Sequence, residues 1–190
     1  MRRIVVHMSI SLDGFIEGTD RDITWHRVDD ELHHYFNDQL RDMGAFLSGR
    51  RTYELMADFW PTADDDPDSS APMAEFAQIW REIPKIVYSR TLAHAHWGTT
   101  IVRDVVPHEV MALKEAPGGD LALGGADLIH VFRQQDLIDE YRIYVHPVLI
   151  GRGKPLFWPL DGATDLKLLE QRAFSNGVVL LRYERATGDP

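Results

Sequence analysis

The chain has 190 residues, of which 44% are hydrophobic and 10% aromatic, and this apolar content is enough for a sizeable core and excludes wholesale disorder. Its 30 acidic and 20 basic residues give a net charge of −10, which argues against broad electrostatic binding to nucleic acids or anionic membranes. The lack of cysteine excludes disulfides, thiolate-bound zinc, iron–sulfur clusters and cysteine nucleophiles, and no apolar run reaches the roughly 18 residues of a membrane span. We therefore expect one soluble, cytoplasmic domain over residues 1–190.

Hydrophobic periodicity predicts a chain in which strands and helices alternate. The predicted strands, in chain order, are residues 4–10, 45–47, 85–89, 100–103, 121–123, 141–150, 166–174 and 178–184. The predicted helices are residues 29–43, a helix that opens at 49–54, and residues 73–81, 107–114 and 127–135. Two long segments lack such a pattern: residues 11–27 predict a functional loop, and residues 61–72, rich in Asp and Pro, predict a mobile surface loop.

This order of elements predicts an α/β fold. Alternation over the first two thirds of the chain implies right-handed crossovers and a largely parallel sheet. Asn176-Gly177 lies between the last two predicted strands and is a strong hairpin signal, so the C-terminal strands should be antiparallel. Ligands of such sheets bind at the carboxyl ends of the strands, which here indicates the loops at residues 48–52, 89–91 and 124–127.

The loop at residues 48–52 has the composition of a phosphate site. Gly49 allows close approach of the backbone, and the start of a helix offers N–H groups without partners. Arg50 and Arg51 supply planar cations and Thr52 supplies a hydroxyl. The alternative is an ordinary helix start with two solvated arginines.

Two further loops follow predicted strands in the same way. Gly124-Gly125-Ala126 precedes the helix that begins at Asp127, although a tight turn that needs glycine for packing explains it equally well. Ser89-Arg90 is a weaker anion contact when taken alone. Three such loops at one edge of a sheet would suit a ligand with several phosphates, such as a dinucleotide.

Other chemical motifs are excluded by their spacing. Gly151-Arg152-Gly153-Lys154 begins like the dinucleotide motif GxGxxG, but Leu156 stands at the sixth position and Pro155 blocks an immediate helix. The histidine pairs at 33–34 and 94–96 lack the i, i+4 spacing of a helical zinc pair, so we expect no metal site.

Asp30 is the candidate for substrate binding or protonation. It lies in the first turn of a predicted helix, five residues after Trp25, so its carboxylate would stand behind an aromatic loop and could anchor a polar heterocycle. The alternative is that Asp29 caps this helix and that Asp30 and Glu31 only favour its dipole.

Five segments in a fixed order span nearly the whole chain. They are SLDGFI at 11–16, GRRTYE at 49–54, VYSRTL at 87–92, LGGADL at 123–128 and HPVLIGRGKPLF at 146–157. In this order they resemble the dihydrofolate-reductase-like superfamily, especially stand-alone relatives of the reductase domain of the riboflavin-biosynthesis deaminase–reductase. The resemblance implies a three-layer fold of that type, NADPH as the cofactor, and a homodimer.

The resemblance also implies roles for individual residues. Residues 50–52 would hold cofactor phosphates, Ser89 and Arg90 would lie by the adenosine 2′-phosphate, and residues 124–126 would lie by the pyrophosphate. The implied cofactor-binding residues are Gly49, Arg50, Arg51, Thr52, Ser89, Arg90, Gly124, Gly125, Ala126 and Asp127.

The substrate side would be formed by two loops. The loop from Ser11 through Asp13 to Trp25 would close over the nicotinamide, and Arg152 and Lys154 add a basic loop that true dihydrofolate reductases lack. We expect hydride transfer to a C=N or C=O carbon of a small heterocyclic or ribosylaminopyrimidine substrate, the nearest activity being that of 5-amino-6-(5-phosphoribosylamino)uracil reductase. The alternatives are a dihydrofolate or pteridine reductase and an NADPH-binding sensor or scaffold without turnover.

Two expectations concern the cofactor and the partner. No Asp or Glu follows Ser89 until Asp104, so the sequence predicts NADPH over NADH, selected by Arg90 together with Arg50 and Arg51. The long apolar strand predicted at 141–150 and the exposed edges of a small sheet predict a homodimer through the C-terminal strands.

Overall fold

The computed structural model describes residues 1–159 and 162–186, and within these residues ten strands form one sheet of eight and one of two. The strands are β1 (Ile4–Ser11), β2 (Phe15–Glu17), β3 (Ala45–Gly49), β4 (Lys85–Tyr88), β5 (Thr99–Val102), β6 (Leu121–Gly124), β7 (Glu140–His146), β8 (Lys154–Pro155), β9 (Leu166–Ala173) and β10 (Val179–Arg185). The helices are α1 (Asp30–Leu40), α2 (Arg50–Phe59), α3 (Ala71–Glu82), α4 (Pro107–Glu115) and α5 (Ala126–Gln134). Short 3-10 helices cover Thr19–Arg21 and Trp60–Asp65.

The large sheet has the strand order β5-β4-β3-β6-β1-β7-β10-β9. Its first six strands are parallel, whereas β10 pairs antiparallel with both β7 and β9. The predicted mixed, mostly parallel sheet with antiparallel C-terminal strands is therefore confirmed. Because the parallel strands all end at one edge, the loops that follow β3, β4, β5 and β6 lie side by side.

The core has a layer on each face of this sheet. On β1, Ile4 and Val6 face one side and pack with α4 and α5, whereas Val5 faces the other side and packs with α1, α2 and α3. This alternation is the period of two expected for a strand that is covered on both faces. All three side chains are fully buried. None of the described helices has the length and apolar character needed to cross a membrane.

The strand predicted at 141–150 is shorter than expected, because β7 ends at His146. Pro147 has no N–H to donate to a neighbouring strand, and the Val148 N–H turns back to the His146 carbonyl at 2.8 Å. The Val148 carbonyl instead accepts from the Leu12 N–H at 2.8 Å, which ties this loop to the end of β1.

Both segments predicted to be irregular contain regular structure. Within residues 11–27, β2 pairs antiparallel with β8, a contact between distant segments that local periodicity does not reveal. The first part of residues 61–72 belongs to the 3-10 helix Trp60–Asp65, in which Pro61 is buried. Arg81 of α3 donates to the Pro61 carbonyl and to Asp64. Helix α3 already begins at Ala71, so the irregular part of this predicted loop is short.

Candidate functional site

A groove of about 730 Å³ opens at the carboxyl edge of the sheet. All three loops singled out from the sequence contribute to its lining, because they follow the neighbouring strands β3, β4 and β6. The predicted site residues that line it are Gly49, Arg50, Arg51, Thr52, Ser89, Arg90, Gly125, Ala126, Asp127 and Lys154. The predicted site residues outside the lining are Ser11, Asp13, Trp25, Asp30, Gly124 and Arg152.

The N-terminus of α2 opens into this groove without a side-chain cap. Gly49 is the N-cap residue, and in the part of the chain that the structure describes no side-chain oxygen accepts from the first N–H groups of the helix. A Cβ atom at Gly49 would meet nothing within 4 Å, so the backbone here is open to an incoming group. Free N–H groups and the positive end of a helix dipole favour an anion.

The N-terminus of α5 lies beside that of α2 and is also uncapped. Its N-cap residue, Gly125, has φ +93°, a conformation that only glycine adopts without strain. A Cβ atom there would lie 2.8 Å from Thr52 Oγ1, so glycine also allows the two helix starts to approach. Gly124 differs, because its Cβ would make an ordinary 3.7 Å contact with Met8 Sδ.

Charged side chains of both signs surround the two helix starts. The basic residues in the lining are Arg21, Arg50, Arg51, Arg90, Arg103 and Lys154, and the acidic ones are Glu17, Glu54, Asp58, Asp104 and Asp127. Three cations are paired: Arg90 with Asp104, Lys154 with Asp127 at 2.6 Å, and Arg50 more loosely with Glu54 at 3.8 Å. Arg51 forms no ion pair with any residue in the described parts of the chain.

The loop after β4 is shaped by a residue that the sequence analysis did not single out. Arg103, just past β5, donates to the carbonyls of Ser89 and Leu92 at 2.8 and 2.7 Å. The Ser89 hydroxyl accepts from the N–H groups of Thr91 and Leu92, so this buried side chain orders its own loop. Parallel pairing of β4 and β5 brings the two segments together, which no local motif indicates.

Tyr88 lines the groove at the end of β4. Burial raises the pKa of its phenol to about 12, with a smaller contribution from the Glu109 carboxylate. The hydroxyl therefore remains protonated at neutral pH and can donate or accept a hydrogen bond.

Ser11 and Asp13 fix the loop that follows β1. The Ser11 hydroxyl donates to Asp13 Oδ1 at 2.6 Å and accepts from the Phe15 N–H, and Asp13 accepts from the N–H groups of Ile150 and Gly151. The Ser11 hydrogen bond, followed by those backbone donors, lowers the pKa of Asp13. Both residues thus connect two loops, and their predicted contact with substrate remains a prediction.

Asp30 is an exposed side chain at the first position of α1. The N-cap is Asp29, whose Oδ1 accepts from the Leu32 N–H at 3.0 Å, as the alternative reading of this helix start expected. The geometry therefore places Asp30 outside the groove, and its role in substrate binding or protonation remains a prediction. Arg152 is likewise exposed.

A second group of side chains, the imidazole cluster, consists of His7, Trp25, His26, Tyr144 and His146. His26 and His146 stack with ring centroids 5.1 Å apart, and Trp25 stands edge-on to His146 at 5.6 Å. His7 and Tyr144 lie 4.8 Å apart. Buried polar atoms of this cluster, Nδ1 of His7, Oη of Tyr144 and Nε2 of both His26 and His146, find no hydrogen-bond partner among the described residues.

Burial keeps this cluster uncharged. It lowers the pKa of His146 to about 4, with smaller contributions from the neighbouring His26 and Arg27, and it lowers the pKa of His7 to about 3, helped by Arg142. His146 Nδ1 accepts from the Arg27 N–H at 3.0 Å, which leaves the proton on Nε2. The alternation of Tyr144 and His146 on β7 places both on one face, a signal present in the sequence but not used in its interpretation.

Comparison with known proteins gives a family and a fold. The RibD C-terminal domain family matches residues 2–180. The uncharacterized protein YyaP of Bacillus subtilis is 36% identical over 186 residues, which cover 96% of this chain and 94% of that protein. The family supports a reductase-type function and leaves the substrate open, because this relative is itself uncharacterized.

Solved structures share the fold at low sequence identity. A putative riboflavin biosynthesis protein from Shewanella sp. PV-4 gives a TM-score of 0.73 at 22% identity, with 97% of this chain and 99% of that chain covered. Enterococcus faecalis dihydrofolate reductase complexed with NADP(H) gives 0.63 at 14% identity, covering 97% and 96%.

A bifunctional Thermotoga maritima protein, diaminohydroxyphosphoribosylaminopyrimidine deaminase/5-amino-6-(5-phosphoribosylamino)uracil reductase, gives a TM-score of 0.65 at 14% identity. The match covers 97% of this chain and 57% of that one. Taken together, these structures confirm the predicted dihydrofolate-reductase-like fold.

Proposed function

The chain belongs to the RibD C-terminal domain family, and we propose that it is a reductase that uses NADPH. Its substrate would be a small heterocycle or ribosylaminopyrimidine, reduced at a C=N or C=O carbon. The nearest named activity is that of the Thermotoga protein, 5-amino-6-(5-phosphoribosylamino)uracil reduction. The low identity to that protein supports only the fold, so the substrate class rests on the family.

The observation that carries the proposal is the pair of uncapped helix starts in one groove. Gly49 leaves open space where a side chain would stand, and Gly125 lets the start of α5 approach Thr52. Two adjacent sets of N–H groups with Arg51 beside them fit the two phosphates of a dinucleotide. The residues present therefore fit a nicotinamide dinucleotide.

Each part of the groove would have a distinct task. The N–H groups at the starts of α2 and α5 would hold the pyrophosphate, with the Thr52 hydroxyl between them. Arg51, together with the loop after β4, would hold the 2′-phosphate. When bound, NADPH supplies the hydride, and the protein aligns the acceptor carbon, excludes water and delivers a proton.

One observation favours a second function, an NADPH-binding sensor without turnover. The proposed proton donor, Asp30, is exposed, and its carboxylate makes no hydrogen bond with any part of the chain that the structure describes. An exposed carboxylate without partners is not held in place for proton transfer. If Asp30 acts in the reaction, the bound substrate must cover it.

Titration separates these functions. The protein is titrated with NADPH and NADH by fluorescence, and the 340 nm absorbance of NADPH is then followed with ribosylaminopyrimidine, dihydrofolate and pteridine substrates. Oxidation of NADPH with the first class supports the proposal, oxidation with dihydrofolate or pteridine indicates the alternative enzyme, and binding without oxidation indicates a sensor. Absence of binding would contradict the cofactor site itself.

Asp30→Asn tests the substrate side. The variant keeps the size of the side chain and removes its charge, so turnover should fall at least tenfold while the Kd for NADPH stays within a few fold. Asp38→Asn, which removes another exposed carboxylate of α1 from its pair with Arg41, serves as the control. Unchanged turnover in Asp30→Asn would leave this residue as a helix-end carboxylate only.

We also propose a homodimer through β9. This strand forms one edge of the large sheet, and Leu166, Leu168 and Leu169 are 39%, 48% and 40% exposed. An apolar edge strand without a partner is prone to pair with another chain. Light scattering at micromolar concentration should give twice the chain mass, and a monomer would contradict this interface.

A further inference from the structure

An ion pair in the lining of the groove joins the two loops that follow β4 and β5. The two strands are parallel neighbours with Tyr88 opposite Val102, and the Ser89 N–H donates to the Val102 carbonyl at 2.8 Å. Arg90 and Asp104 each stand two residues beyond these paired positions. The register of the strands therefore puts their side chains together, although 14 residues separate them in the chain.

The pair is made on one oxygen of the carboxylate. Arg90 Nε donates to Asp104 Oδ1 at 2.7 Å, and Nη2 of Arg90 donates to the same atom. The two side chains are 80% and 50% exposed, and both line the groove. A ligand in the groove can thus reach Arg90, but only beside a negative charge.

We propose that Asp104 is a specificity-determining residue that reduces the preference of this groove for NADPH over NADH. The inference rests on the proposed function, because it assumes that a nicotinamide dinucleotide binds here. Arg90 without a partner would offer its full charge to a 2′-phosphate. Paired with Asp104, it offers a site of no net charge.

The two dinucleotides meet this pair differently. A 2′-phosphate is a dianion that must draw Arg90 away from Asp104 and then remain close to the Asp104 carboxylate. A 2′-hydroxyl instead donates a hydrogen bond to a carboxylate, the arrangement that NADH-selective sites use. Asp104 therefore weakens binding of NADPH and leaves binding of NADH unchanged or slightly stronger.

The expected effect is modest, because the pair is exposed. Exposed ion pairs are weak and are screened by salt, so Arg90 can exchange partners. Removal of the Asp104 charge should tighten NADPH by about three- to tenfold at low salt. The unpaired Arg51 keeps NADPH the preferred cofactor in the unmodified protein.

The test is a cycle of binding measurements that does not depend on turnover. Kd values for NADPH and NADH are measured on the unmodified protein, Asp104→Asn, Arg90→Ala and the double variant. Asp104→Asn should raise the ratio of the two affinities by about three- to tenfold in favour of NADPH. In the Arg90→Ala background the same change should still raise the ratio at least threefold, because the Asp104 carboxylate is then unpaired and repels the 2′-phosphate directly.

Asp38→Asn is the matched control, since it removes an exposed carboxylate paired with Arg41 outside the groove lining. Its affinity ratio should equal that of the unmodified protein. An unchanged ratio in Asp104→Asn would overturn the inference while the cofactor assignment stood, and so would an effect that disappears in the Arg90→Ala background, because an unpaired Asp104 carboxylate must still repel the 2′-phosphate. Failure of the unmodified protein to bind either dinucleotide would overturn the proposed function and this inference together.

Discussion

The groove at the carboxyl edge of the large sheet and the imidazole cluster differ in almost every physical respect. The groove is open, and eleven charged side chains of both signs line it. In the imidazole cluster Tyr144 and His146 are fully buried and the other three side chains are half-buried, and burial keeps His7 and His146 neutral. The first region can recognise a ligand through charge and free backbone N–H groups, whereas the second is held by aromatic packing and leaves polar atoms without partners among the described residues.

This difference determines which conditions each region responds to. Salt weakens the contacts of exposed charges, so binding in the groove should depend on ionic strength. Buried imidazoles are little affected by salt. Each one makes stability depend on pH, because its pKa is lower in the folded chain than in the unfolded chain, which therefore binds more protons as the pH falls. Separate measurements can therefore test the two regions.

The largest effect is expected from pH acting on the imidazole cluster. The unfolded pKa of a histidine is about 6.5, and burial lowers the pKa of His146 to about 4 and of His7 to about 3. Stability from these groups is complete above pH 6.5 and is lost as the pH falls toward 4. We expect the free energy of unfolding, measured in urea, to fall by on the order of 3 kcal/mol for each of the two histidines between pH 7 and pH 4.

His146→Asn sharpens this prediction. The Asn side chain retains an acceptor for the Arg27 N–H and cannot titrate. Between pH 6 and pH 4.5, the free energy of unfolding of the variant should depend less steeply on pH, by about 1.4 kcal/mol per pH unit. This difference is what the uptake of one proton on unfolding contributes. An unchanged slope would show that His146 titrates normally and that the cluster is not dry.

The next effect concerns the backbone of the groove, where two adjacent glycines allow a matched comparison. Gly125→Ala forces a Cβ to within 2.8 Å of Thr52 Oγ1 at φ +93°, whereas Gly124→Ala gains only an ordinary contact with Met8. Gly125→Ala should lower the free energy of unfolding by about 2 kcal/mol and weaken NADPH at least tenfold. Gly124→Ala should change both quantities little, and equal losses in the two variants would contradict the assignment of Gly125.

The sequence predicts the local parts of this molecule well and the contacts between them poorly. Strand and helix periodicity and the glycines at 49 and 125 carry local signals, and the parallel order of the strands then brings three loops to one groove. The sequence predicts a longer β7 than the structure has, because the apolar pattern continues past Pro147 whereas the hydrogen bonding between strands ends at His146. The pairing of β2 with β8 is a long-range contact and leaves no periodic signal.

The position of Asp104 illustrates the same limit within the site. Asp104 is the first acidic residue after Ser89 in the sequence, so the sequence predicts no carboxylate near the loop that follows β4. The pairing of β4 with β5 nevertheless brings the Asp104 carboxylate into contact with Arg90. The role of Arg103 in holding the same loop arises in the same way. The pairing of Arg90 with Asp104 is thus set by strand register, which a single sequence does not specify.

The smallest effect follows from that register and distinguishes two arginines that look equivalent in the sequence. Arg51 has no ion-pair partner among the described residues, whereas Arg90 is held by Asp104. A charge-assisted hydrogen bond contributes about 1.5–3 kcal/mol, so Arg51→Ala should weaken NADPH about tenfold or more. Arg90 starts from a paired state, so Arg90→Ala should weaken NADPH no more than about threefold, well below the effect that an unpaired arginine would have.

Titrations of both variants with NADPH and NADH at low and high salt measure the difference, with NADH as the internal control because it lacks the 2′-phosphate. If Arg90→Ala proved the more damaging change, Arg90 would hold the phosphate despite Asp104, and the open charge of Arg51 would not be what selects the cofactor.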